Sequence, residues 1–168
     1  MGTRRSPEGR NYEAIVRKLI ADGCELPKVD LKRQVDFDDN HAVAKVAQLI
    51  LAIANTDSDE YDDIGYVIIG ADRREIHGGA DWFSDDSKSA AIVQKLIRYM
   101  QPVPLLEVRG FQEPGRGWCG AIVVRPSPHH LRPHFVAKEF GGVMSRHDCY
   151  VRRGEIPDLA SREDFDRM

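Results

Sequence analysis

Residues 65–70 read Gly-Tyr-Val-Ile-Ile-Gly, with Ala71-Asp72 directly behind. A short, continuous apolar run between two glycines has the pattern of a strand buried on both faces; a half-exposed strand would alternate. Upstream, Val43, Val46, Ala47, Ile50, Leu51 and Ala54 recur at helical spacing over residues 41–54, with Asp38, Asp39 or Asn40 placed to cap the start. That broad stripe predicts a central helix packed on the buried strand. Asn55-Thr56 ends it, and five acids (Asp57, Asp59, Glu60, Asp62, Asp63) occupy the connection.

The pattern continues outward in both directions. Asn11 is a helix cap for Tyr12, Ile15, Val16, Leu19 and Ile20, and Gly23 stops that helix. From Val29 to Val35, apolar residues alternate with Asp30 and Lys32, which predicts a half-buried strand with a charged solvent face. Arg73-Arg74 reads as a turn leading to Glu75-Ile76-His77 and Gly78-Gly79. A third helix runs from Asp85 or Ser87 to Tyr99 and stops before Pro102 and Pro104. Strands follow at 105–109, 118–125, 135–138 and 149–152, with a proline-marked loop at 126–133. Ser161 and Asp164 form a near capping box for a C-terminal helix. Helices interleaved with strands, then a strand-rich half, give an α+β single domain with a mixed central sheet flanked by helices. Residues 1–10 are expected to be a mobile tail, 11–160 the domain, and 161–168 a C-terminal segment.

The chain has 168 residues with 24 Lys+Arg and 27 Asp+Glu. No run approaches the ~18 apolar residues of a membrane-spanning helix, and the charged start lacks a secretory apolar region. Three widely spaced cysteines (Cys24, Cys119, Cys149) do not make a disulfide framework. A cytoplasmic, membrane-free domain is therefore expected. Charge is unevenly placed: residues 105–153 carry eight Lys+Arg against four acids. Seven of those eight bases are Arg, suited to bidentate phosphate contacts.

Three pieces line up in order: Glu25-Leu-Pro-Lys-Val-Asp30-Leu-Lys32; Ala52-Ile-Ala-Asn55-Thr56 with Gly65-Tyr-Val-Ile-Ile-Gly70-Ala-Asp72 and Ile76-His-Gly78; and Cys149-Tyr-Val-Arg152-Arg-Gly154. Together they resemble the Schlafen AlbA_2 domain family over roughly residues 20–160. The sequence departs from the family pattern twice: Asp30 stands where the family usually has Glu, and the acidic stretch replaces a Gly-Gly turn. The resemblance implies a nucleic-acid-binding domain, RNA favoured over DNA, that cuts tRNA-like RNA with Mg²⁺ or Mn²⁺ held by an acidic triad. Carried over residue by residue, the triad falls on Glu25, Asp30 and Asp72. The alternative it leaves open is a non-catalytic DNA- or ATP-binding module of a regulator or defence complex. Single-lobe members are expected to pair as homodimers.

The residues themselves admit this chemistry. Three carboxylates make a hard oxygen site for Mg²⁺ or Mn²⁺, and Lys32 shares a strand face with Asp30, within reach of a scissile phosphate. The competing reading makes Asp30 and Lys32 the solvent side of an edge strand and Asp72 a turn former. Arg109, Arg116, Arg125, Arg132, Lys138, Arg152 and Arg153 are the candidate phosphate contacts; for Arg152 the alternative is an ion pair with one of the acids. Asn55 and Thr56 either bind phosphate or hold a loop by side-chain-to-backbone hydrogen bonds. The acidic stretch reads as a solvated loop. Zinc is not expected, because His129, His130, His134 and His147 lack paired Cys ligands. No nucleophile elbow or P-loop is present in the sequence.

Overall fold

The computed structural model describes residues 11–23, 26–58 and 60–168. The tail at 1–10, Cys24, Glu25 and Asp59 lie outside them. α1 (Tyr12–Asp22) starts at Asn11, whose side chain accepts from Ala14 N, and ends at Gly23 in the left-handed conformation. α2 (Asn40–Ala54) is capped by Asp39, and α3 (Asp86–Ile97) by Asp85. The fully buried β2 (Gly65–Ile69) is the second strand of a four-stranded sheet. Its order is β1 (Val29–Lys32), β2, β7 (Gly117–Val124), β6 (Leu106–Glu113). β1 runs parallel to β2 and the other pairings are antiparallel, so the sheet is mixed.

Alternation of side chains divides the core into two layers. Val29, Leu31, Tyr66 and Ile68 pack against α1 with Tyr12, Val16, Leu19 and Ile20. Val67 and Ile69 face the larger layer formed by α2 and α3. Phe83 fills the second layer because Gly120 leaves room for it: a Cβ there would lie 2.1 Å from the ring.

Two short antiparallel pairs complete the domain around that layer. β5 (Met100–Gln101) pairs with β8 (Phe135–Val136), and β9 (Tyr150–Arg153) with β10 (Ile156–Leu159). The β9–β10 hairpin packs on α2, and α4 (Arg162–Arg167) follows with the expected Ser161–Asp164 capping box. β10 is absent from the sequence reading because Pro157 and Asp158 are poor strand formers, tolerated here on an edge.

This hairpin overturns one expectation. Asp30 pairs in register with Val67 and shares its face, the one α2 and β9 cover, so it is only 3% exposed. The polar solvent face predicted for β1 is buried there, and opens only towards Lys32, whose side chain is 44% exposed.

Asn55-Thr56 joins α2 to β9. The Asn55 side-chain amide donates to the His134 and Tyr150 carbonyls and to Cys149 Sγ, while its oxygen accepts from His134 N. The Thr56 hydroxyl donates to the Ala52 carbonyl and accepts from Arg152 N. Loop-holding, not a free polar pair, is what these side chains do here. The acidic stretch is likewise folded down: Asp63 pairs with buried Lys28 at 2.5 Å, and Arg132 pairs with Asp57 and Asp63. Burial pulls the Lys28 ammonium below its ordinary pKa, with Asp63 opposing.

Asn55→Ala is expected to destabilise the fold by at least about 2 kcal/mol, since it strands one buried N–H and two carbonyls at about 1–3 kcal/mol each. Urea unfolding with an unchanged m-value reads this. His134 adds a pH term. It has no exposed surface and bonds the Pro102 carbonyl and the Ser127 hydroxyl, and burial lowers its pKa. The unfolded chain therefore takes up this proton first. The stability contribution is complete above the ordinary His value of about 6.5 and is lost as pH falls towards the lowered native value. Denaturation midpoints between about pH 5 and 7 should fall with acid, less steeply in His134→Asn.

Candidate functional site

The site begins where β2 ends. Gly70, at φ +94°, turns the chain out of the sheet: its N–H donates to the Lys32 carbonyl, and its own carbonyl accepts from His77 N and Gly78 N. Between those bonds lies a tight hairpin, β3 (Ala71–Asp72) and β4 (Glu75–Ile76), with Asp72 opposite Glu75. Arg74 at its tip adopts φ +69°, costly for a non-glycine residue, and its N–H donates to the Ile20 carbonyl of α1 at 2.9 Å. Gly78 seats the hairpin on the β6–β7 turn, where a Cβ would lie 1.9 Å from the Arg116 carbonyl.

The hairpin gathers donors of two kinds. Asp72, Glu75 and His77 place one ligand atom each within 4.8 Å of one another, and Asp72 Oδ2 lies 2.6 Å from His77 Nε2. Arg116 closes the rim, bonding Glu75 at 2.9 Å and the Ile76 carbonyl. Glu75 also borders a groove of about 350 Å³ whose wall carries Arg17, Arg74 and Arg116 together with Glu113, which holds Arg17 at 2.6 Å. Two carboxylates and an imidazole are a donor set that fits Mn²⁺ well and Mg²⁺ with water completing the shell. Among the described residues this is the group of three or more such donors close enough to share an ion.

Of the three expected triad members, Asp72 stands in this group. Glu25 lies outside the described residues. Asp30 stands in a different one: Arg152 contacts its Oδ1 at 3.2 Å and Lys32 Nζ lies 2.9 Å from its Oδ2. Glu75 and His77 were missed by sequence reasoning, although Asp-x-x-Glu-x-His across a predicted turn is a legible spacing. Arg17 and Arg74 lie outside the basic 105–153 stretch and belong to no motif, so no signal in the sequence marks them as groove residues.

The seven expected phosphate contacts divide by burial. Arg152 has no exposed side-chain surface and Arg132 only 4%, so both serve as internal ion-pair partners. Arg109 pairs with Glu107, Arg116 with Glu75, and Arg153 with Asp158 and Asp164, all with about half of the Arg side chain exposed. Exposed pairs are worth about 0–1 kcal/mol, so phosphate can displace those acids. Arg125 holds Glu107 and the Tyr12 hydroxyl, while Lys138 is exposed. Burial pushes the Cys119 thiol up to about 12 and that of Cys149 to about 11, so neither offers a thiolate near neutral pH.

The Schlafen, AlbA_2 family model matches residues 25–160, and the chain belongs to that family. No curated protein and no solved structure matches it. Membership gives the protein a nucleic-acid-related role. Among the described residues, no helix is long and apolar enough to cross a membrane.

Asp30→Ala removes the carboxylate opposite a fully buried guanidinium. Unfolding free energy should drop by about 3–5 kcal/mol, the usual loss when one partner of a buried pair is deleted. Asp72→Ala, at a half-exposed position, should stay within about 1 kcal/mol of wild type in the same denaturation.

Proposed function

We propose that the protein binds RNA in preference to DNA and cuts it with a divalent cation, Mg²⁺ or Mn²⁺, at the β3–β4 hairpin. One observation carries this reading: Glu75 belongs both to the three-donor cluster and to the arginine-walled groove. The candidate cation site and the candidate phosphate groove therefore share a border. Asp72, Glu75 and His77 would hold the ion, with Glu25 as a further carboxylate from the preceding segment. A cation so held activates water and stabilises charge on the phosphate oxygens. Arg17, Arg74 and Arg116 orient the backbone. Arg116 exchanges its bond to Glu75 for one to phosphate, which frees that carboxylate. Lys32, at the open end of β1, supplies positive charge near the departing strand. A single lobe gives half of a cleft, and a two-fold homodimer completes it.

A second reading rests on Asp30. With both oxygens facing cations, Asp30 is already neutralised and has no charge to spare for a metal ion, which favours a non-catalytic DNA- or ATP-binding module of a transcriptional regulator or defence complex.

The test is incubation of structured RNA with Mg²⁺ or Mn²⁺. Wild type should nick it, and Asp72→Ala and Glu25→Ala should abolish cutting with binding retained, because distributed arginines carry ground-state affinity. Arg116→Ala should lower the slope of log affinity against log salt by about one. Sedimentation of the protein without RNA should give twice the 19.0 kDa chain mass. RNA left intact with either ion, while still bound, replaces the cutting reading with the module.

A further inference from the structure

A second cavity, of about 440 Å³, opens beside this site between β1, α2 and the β9–β10 hairpin. Its size falls within the range of small-molecule sites, about 300–1,000 Å³. Val46 and Leu49, one turn apart on α2, give it an apolar wall, and Ile156, 69% exposed, stands among the residues of the other side. Lys45 lies at the exposed edge. Gln34, Asp36 and Gln48 also line the cavity, but the Gln48 amide donates to the Val143 carbonyl and Asp36 Oδ1 accepts from Asp38 N. Asp30, whose side chain is 4% exposed, is the most deeply buried carboxylate of the lining. Arg152 holds Oδ1; Oδ2 accepts no hydrogen bond of good geometry and is shielded from solvent, with Lys32 Nζ 2.9 Å away. Because the Lys32 side chain is 44% exposed, it can swing aside.

We propose that this cavity receives a guanine base unstacked from the bound strand. This rests on the nucleic-acid reading above and names the base that reading leaves open. An apolar slot flanked by lysine suits a flat ring attached to phosphate. A carboxylate oxygen only accepts hydrogen bonds. Guanine presents two adjacent donors, N1–H and the 2-amino group, on its Watson–Crick edge. On the same edge, adenine and cytosine set an acceptor beside their amino group, and uracil flanks its single donor with two acceptors. Each of those three can give Oδ2 one hydrogen bond but sets a lone pair beside it, whereas both guanine donors converge on the same oxygen with no adjacent acceptor. When the base enters, Lys32 leaves Oδ2 for the phosphate. Glu155, also on the rim, is paired with Arg73 at 2.9 Å. That pair links the cavity to the hairpin bearing Asp72 and places the recognised base next to the candidate cutting position.

Titration of the full chain with GMP, AMP, CMP, UMP and IMP, followed by NMR, tests this. GMP should bind at least about tenfold more tightly than AMP, CMP or UMP, with IMP, which lacks the 2-amino group, in between. Asp30→Asn should erase the preference. Should that variant fail to fold, Ala42→Trp decides, because residue 42 lines the cavity without reaching the core layers. Ala42→Trp should lose GMP while keeping salt-dependent binding of an oligoadenylate strand. Equal affinities for all five nucleotides, or a folded Ala42→Trp that still prefers GMP, would overturn the proposal. A guanine preference with no RNA binding would uphold the cavity and sink the nucleic-acid reading. RNA binding without the preference would do the reverse.

Discussion

The buried contact between Arg152 and Asp30 is the constraint on which the rest of this fold turns. A guanidinium with no exposed surface and a carboxylate 4% exposed lie 3.2 Å apart. Neither charge is tolerable there alone, and together they gain little net stability over an apolar pair of the same volume. Their contribution is to admit one arrangement: β9 must lie across the edge of the sheet at the height of Asp30. Thr56 accepts the Arg152 N–H, and Asn55 bonds both sides of the adjacent crossing, so the end of α2 is pinned to the same point. Asp-Leu-Lys, Asn-Thr and Tyr-Val-Arg are distant in the sequence and form one junction in the fold.

That junction separates two carboxylates that the sequence places in one motif set. Asp30 faces inward and is neutralised, whereas Asp72, just past the Gly70 turn, faces the surface with Glu75 and His77. The hairpin carrying Asp72 depends on few distant contacts: the bonds back to Gly70, the Arg74–Ile20 bond and the close approach to Arg116. Its donors are thus assembled locally, and the surrounding arginines arrive from α1 and the β6–β7 turn. The groove around Asp30, by contrast, is bounded by residues 155–157 of the β9–β10 hairpin on one side and by Val46 and Leu49 of α2 on the other, so it exists only once elements distant in the chain have packed together.

Local physics made much of the architecture readable from the chain. The 3.6-residue stripe of α2, the caps at Asn11 and Asp85, the Gly23 stop and the uninterrupted 65–69 run depend on neighbours within a few residues, and all appear as elements in place. The family's three motifs were likewise legible as an ordered set. Strand ends were not. β6 extends to Glu113, past Arg109 and Gly110, because β7 offers partners along its whole length regardless of side-chain polarity. β1 stops at Lys32 because β2 turns away at Gly70.

Which face of a strand meets water is a property of what lies over it, and alternation alone cannot reveal a cover that arrives more than a hundred residues later. The sequence by itself determined the α+β class, the central helix and strand, the family and the chemical types available at the site. Tertiary structure alone decided that Asp30 is interior, that Arg132 and Arg152 serve the fold, and that Glu75 and His77 join Asp72. A side chain's type is fixed by the residue, but its burial and its charge partners are set by long-range packing.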